Sequence, residues 1–137
     1  METIERHIVE AYIRDYSIAS ASYEMMGLML NNQYVEERIK LFNIENLYIY
    51  GGTYMAVQLY RAGKDYVNIK GIVDKSGGTV VQDLISVLPL DIFQKQYQNE
   101  KVIVTSIRFF QEIKQDLQQF IDAENILGIG EFLMGLV

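Results

Sequence analysis

The stretch LYIYGGTYMAVQLYRAG, residues 47–63, decides how the chain is read. Leu47-Tyr48-Ile49-Tyr50 is a short β-prone run that stops at Gly51-Gly52. Apolar residues then recur at helical spacing from Tyr54 to Ala62, and Gly63 stands where a C-cap glycine would end a helix. This is strand, tight turn, helix. Downstream the pattern repeats. Val67 to Val73 forms a second strand, closed by Asp74 and the loop Lys75-Ser76-Gly77-Gly78. Ile85 to Leu88 is a third, and Pro89, suited to a first helical turn, opens a helix through Tyr97. Val102 to Ser106 is apolar without alternation, the mark of a strand buried on both faces. Phe110, Ile113, Leu117, Phe120 and Ile121 follow at helical spacing, and Ile126 to Ile129 supplies a fifth strand. Strands alternating with helices of about ten residues predict βαβ units and a parallel, doubly wound sheet.

Upstream, residues 1–44 are helical. Ile4, Ile8, Ala11, Tyr12 and Tyr16 repeat at helical spacing, Ser17 to Ser22 weakens the pattern, and a second cluster (Met25, Met26, Leu28, Met29, Leu30) runs to Asn31-Asn32. Val35, Ile39 and Phe42 mark a third piece, closed by Asn43. The expected division is a helical extension over 1–44 and an α/β domain over 45–137. Since a doubly wound sheet has its own helices for both faces, the extra ones are expected at an edge or between two subunits. Their apolar faces, too extensive for water, predict a homodimer through the N-terminal helices.

Composition narrows the function classes. The 137 residues, half of them apolar, are enough for one domain with a real core and exclude intrinsic disorder. Eighteen acidic against twelve basic side chains give a net charge of -6, which disfavours a nucleic-acid partner. There is no cysteine, so disulfides, thiol nucleophiles and cysteine-bound metals are excluded. No run approaches the roughly 18 apolar residues of a membrane span, and the start METIERH lacks the apolar core of a signal peptide. A cytoplasmic protein with no membrane insertion is expected.

The turn at residues 51–56 resembles the G-x-G-x-x-G/A of a dinucleotide-binding βαβ unit, with Gly51, Thr53 and Ala56 in register. Thr53 departs from it, setting a β-branched side chain where backbone should lie bare to phosphates. Gly52 still lets the chain bend, and the Thr53 hydroxyl or the amides of Thr53 and Tyr54 at the helix start suit an anion. Asp74 lies 23 positions after Gly51, near where an acid accepts hydrogen bonds from a ribose diol. The plain alternative is a tight strand–helix turn and an acid that caps a loop. Lys75 could touch a phosphate. Thr105, Ser106 and Arg108 follow the fourth strand, where loops line the ligand crevice, or else cap a helix.

The runs IYGGTYMAVQLYRA (49–62), IKGIVDKS (69–76), ISVLPLDIF (85–93) and KVIVTSI (101–107) resemble the small Rossmann-like domains of bacterial sugar and polysaccharide biosynthesis proteins. Such domains precede epimerase/dehydratase modules in capsule enzymes and hexapeptide-repeat modules in sugar acyltransferases. The resemblance covers about residues 47–133, through Gly51 and Gly52, Asp74, and the Pro89-Leu90-Asp91 run. It implies a three-layer Rossmann-like α/β domain with about five parallel strands, binding NAD, a nucleotide or a nucleotide-sugar, with no fixed reaction. No hexapeptide repeat follows, which excludes acyl transfer by this chain.

Other constellations carry less. Tyr-x-x-x-Lys, the proton-moving pair of short-chain dehydrogenases, occurs as Tyr60/Lys64, Tyr66/Lys70 and Tyr97/Lys101. With ten tyrosines such coincidences are expected. His7 is the only histidine and makes neither metal cluster nor triad, so no metal is expected. Glu36-Glu37 and Asp122 with Glu124 read as solvated faces, and residues 75–78 lack a P-loop ending. The leading expectation is a non-catalytic nucleotide-binding module of sugar metabolism with site residues Gly51, Gly52, Thr53, Tyr54, Asp74, Lys75, Thr105, Ser106 and Arg108. The alternatives are an interaction domain with a vestigial glycine turn, and a fragment of an NAD-dependent sugar oxidoreductase or epimerase.

Overall fold

The computed structural model of the chain describes residues 3–51, 54–75 and 87–135. Its elements are α1 (Thr3–Met29), α2 (Asn32–Leu41), β1 (Asn46–Tyr50), α3 (Tyr54–Gly63), β2 (Asn68–Val73) and β3 (Val87–Leu88). They continue with α4 (Leu90–Gln96), β4 (Lys101–Val104), α5 (Phe110–Leu117), a 3₁₀ turn at Ala123–Asn125, β5 (Ile126–Gly128) and α6 (Ile129–Met134). The strands form one parallel sheet in the order β3-β2-β1-β4-β5, a three-layer Rossmann-like α/β arrangement. Val102, Ile103 and Val104 are fully buried, as their unbroken apolar run requires of a strand covered on both faces.

Strand alternation sends side chains to two separate cores. Leu47, Ile49, Ile72, Ile103 and Leu127 pack with α3 and α6 on one face. Tyr48, Val73, Val102, Val104 and Ile126 pack with Phe93 of α4 and Leu117 of α5 on the other.

The N-terminal helices differ from expectation in two ways. They are two, not three, because α1 runs unbroken through Ser17 to Ser22. There Ser22 Oγ donates to the Ile18 carbonyl at 2.8 Å, so that hydroxyl finds its partner inside the helix. They also complete a face of the sheet. Among the described residues the α/β unit puts only α3 and α6 on the first face, and Met25, Met29, Val35 and Ile39 of α1 and α2 fill the same core as the strands. Asn43 ends α2 as expected. It takes a left-handed φ of 53°, with Ile44 N–H donating to Ile39 O and Asn43 N–H to Lys40 O, both at 3.1 Å. Gly63 does not act as a left-handed cap. It is the buried last residue of α3, packed against Ile39, Val67 and Ile69.

α2 also holds the end of α6. Tyr34 Oη donates to Leu133 O, and Arg38 donates from Nε to Phe132 O at 2.5 Å and from its terminal nitrogen to Glu131 O at 3.2 Å. Phe132 O and Leu133 O are carbonyls of the last turn that a helix end leaves without partners of its own, while Glu131 O also accepts from Gly135 N–H at 3.0 Å. Among the described residues no helix is long and apolar enough to cross a membrane.

At the end of the sheet where β4 begins, a register shift in the β1–β2 pairing leaves Lys70 as the extra residue. Its Nζ reaches Glu100 Oε2 at 2.6 Å, while Gln98 N–H donates to Glu100 Oε1 at 2.6 Å. Burial pushes the Glu100 carboxyl up, but Lys70 and the Gln98 amide outweigh it and hold the group below its ordinary value. The folded chain therefore binds this proton more weakly than the unfolded chain. The resulting stability is complete above roughly pH 4.5 and is lost as the pH falls through the folded value. We expect Glu100→Ala to cost about 2 kcal/mol, less than a fully buried broken pair because water can still reach Lys70. Urea unfolding at pH 7 and pH 3 checks it: the gap between variant and wild type should narrow in acid.

Candidate functional site

The chain leaves β1 toward β2 on one side of the sheet and returns through β4 on the other. In a sheet with this strand order the ligand crevice is expected at the carboxyl ends of these two central strands. Gly51 lies at its edge with φ +124°, a conformation that side chains resist. Its N–H donates to Val73 O at 2.7 Å. A Cβ here would run into the Thr105 hydroxyl oxygen. Thr105 is buried, and both its N–H and its hydroxyl donate to Tyr50 O at 3.0 Å. Two central strands are thus clasped where Gly51 bends away, and Thr105 braces the turn.

Past β4 and β5 lies a pocket of about 310 Å³. Its walls include Met25 of α1, Phe110 and Lys114 of α5, Met134 of α6, and Ser106 and Arg108 from the loop after β4. Gly128 is part of the lining because the Phe110 ring lies against it: a Cβ there would come 3.3 Å from Phe110 Cε1. Lys114 Nζ stands 5.8 Å from the same ring centre. The volume is near the lower end for ligand pockets, enough for one ring-sized moiety but not for a dinucleotide.

The expected site residues divide into groups. Gly51 and Thr105 meet at the crevice edge, and Ser106 and Arg108 line the pocket. Ser106 Oγ accepts from Phe109 N–H at 3.1 Å, and Arg108 is ion-paired with Asp15 of α1. Asp74 is half-buried after β2, its N–H donating to Leu88 O at 3.0 Å, and Lys75 beside it is exposed. Tyr54, exposed, begins α3. Tyr54, Asp74 and Lys75 stand outside the pocket lining. Gly52, Thr53 and the loop residues Ser76, Gly77 and Gly78 lie outside the described residues, as does the side chain of His7.

Sequence reasoning passed over Tyr50. Burial, then the negative charges of Asp116 and Asp74, push its phenol above the ordinary value, which puts both acids in electrostatic reach of the crevice. It also passed over Met25, Phe110, Lys114 and Gly128, since nothing in their spacing shows that α1 crosses the end of the sheet. The Tyr97/Lys101 pair is drawn apart. Tyr97 Oη donates to Glu100 O at 2.8 Å and its pKa is pushed up to about 12, chiefly by burial. Lys101 Nζ donates to Glu124 O at 3.1 Å instead. Lys70 is committed to Glu100. Among the described residues no group of three or more acids and histidines is placed to hold a metal ion. No protein-family model, curated protein or solved structure matches the chain.

Proposed function

We propose that the domain binds a nucleotide-type ligand, NAD or a nucleotide-sugar, across the carboxyl ends of β1, β2 and β4, as a non-catalytic module of bacterial sugar or polysaccharide biosynthesis. The observation that carries this reading is Gly51. Its positive φ turns the chain sharply out of β1 at the point where the strand order reverses, the role of the first glycine in a phosphate-binding turn. Asp74 at the end of β2 suits a ribose diol. The pocket past β4 and β5 has room for a ring at the far end of such a ligand, with Lys114 and Arg108 on its wall. In this reading the protein acts as a homodimer through its N-terminal helices.

Titration calorimetry and thermal shift with NAD, NADP, ADP and a panel of UDP-sugars test the proposal. NAD or a UDP-sugar should raise the melting temperature, and Asp74 should make NADP bind at least about tenfold more weakly than NAD through repulsion of the 2'-phosphate. Gly52→Asp should abolish the response while leaving unfolding cooperative, since it adds a like charge at the turn. No response to any of these ligands at millimolar concentration would sink the nucleotide reading. The exposed apolar surface of α1 favours a second reading, an interaction domain whose glycine turn is vestigial.

A further inference from the structure

The 27-residue helix α1 has two apolar faces, and only one is used. Ala11, Ile18, Ala21, Met25 and Met29 lie toward the domain, half-buried or buried. The opposite face keeps heptad spacing through Val9, Tyr16, Tyr23 and Leu30, with Tyr12, Ile13, Ala19, Ser20 and Gly27 between them. At 100° per residue these nine positions form one stripe without a charged side chain. Tyr12, Tyr16, Tyr23 and Leu30 are between 67% and 84% exposed.

With about 200 Å² for a tyrosine, the large side chains of this stripe hold on the order of 800 Å², what each partner buries in an interface of standard size. The stripe is also complementary to its own reverse. About a point between Ala19 and Ser20, Tyr12 falls opposite Gly27, where the space around the backbone is open. Tyr16 falls opposite Tyr23, Val9 opposite Leu30, and the small residues Ala19 and Ser20 opposite each other. Large thus meets small at one pair, ring meets ring at another, and the centre lets two backbones come close. A hollow beside the stripe, lined by Tyr16, Ser17, Ser20, Ala21, Glu24 and Met134, offers further room for a facing side chain. Such self-complementarity is what a two-fold interface needs, because one surface serves both partners.

We propose that α1 pairs with α1 of a second copy of this chain, antiparallel, about a two-fold axis between Ala19 and Ser20. This rests on the homodimer reading above and adds its geometry. The overlap runs from Val9 to Met29, about 30 Å of helix, with Leu30 in the turn just past its end.

Because the chain has no cysteine, introduced thiols report the register cleanly. Under mild oxidation the Ser20→Cys chain should form a covalent dimer. Val9→Cys and Leu30→Cys chains should cross-link when mixed, and neither should do so alone. Sedimentation should find wild type dimeric at micromolar concentration. Tyr16→Glu with Tyr23→Glu, both on an exposed face, should raise the dissociation constant about 100-fold or more while circular dichroism stays unchanged. A dimer in which the Val9→Cys chain cross-links to itself is parallel, which overturns the register and leaves the homodimer reading standing. A monomeric wild type overturns both.

Discussion

Replacing Phe93 with alanine should lower the free energy of unfolding by about 4 kcal/mol. Phe93 is fully buried on α4 and is the hub of an aromatic cluster. Its ring centre lies 4.8 Å from Tyr48, 5.6 Å from Tyr97 and 5.8 Å from Phe120, each at an edge-on angle. Truncation removes the transfer energy of the ring and the edge-to-face contacts together. The site collapses poorly, because Tyr48 is held by Gln96 Nε2 donating to its hydroxyl at 3.0 Å and Tyr97 by its bond to Glu100 O. For a domain of this size the loss corresponds to a fall in melting temperature of roughly 15 °C. Urea and thermal unfolding followed by circular dichroism measure it, and a loss under about 1.5 kcal/mol would mean that the cluster repacks freely.

Gly51→Ala should cost about 3 kcal/mol, of which strain at a backbone angle nearly restricted to glycine is one part. The other part is a collision with the Thr105 hydroxyl. The two can be separated by a double-mutant cycle. Thr105→Ala removes the oxygen that the new methyl meets, while Thr105 Cβ itself lies 3.7 Å away, an ordinary contact. Gly51→Ala should therefore cost about 1 kcal/mol less in a Thr105→Ala background than alone. If the two costs simply add, the clash is relieved elsewhere and the strand ends are softer than their burial implies.

Much of the fold was legible because its signals are local. The run from Leu47 to Gly51, the unbroken Val102–Val104 and the left-handed Asn43 each follow from the residues themselves, and all five strands fall where their β-prone runs lie. What stayed hidden depends on long-range packing. Ser17 to Ser22 read as a break because serine is a weak helix former, yet packing of Ala21, Met25 and Met29 against the domain outweighs that preference. Gly63 read as a cap because glycine commonly is one, whereas here it lets α3 lie close to Val67 and Ile69. In the candidate site, the positions of Gly51, Thr105 and Ser106 just past strand ends were legible from the sequence. The wall supplied by Met25 was not, since only the tertiary path of α1 brings it to the end of the sheet.

The bonds from Tyr34 and Arg38 to the end of α6 span 99 and 94 residues of chain. During synthesis α1 and α2 leave the ribosome long before α6 exists, so Met25, Met29, Val35 and Ile39 meet β1, α3 and β2 first and lack the α6 wall of their core until the end. This face of the sheet can close only after residues 129–134 have emerged, which makes its completion a late event for the earliest-made helices. A ribosome stalled before residue 129 should hold a nascent chain in which α1 and α2, without the α6 wall, are cut faster by protease than in the finished domain.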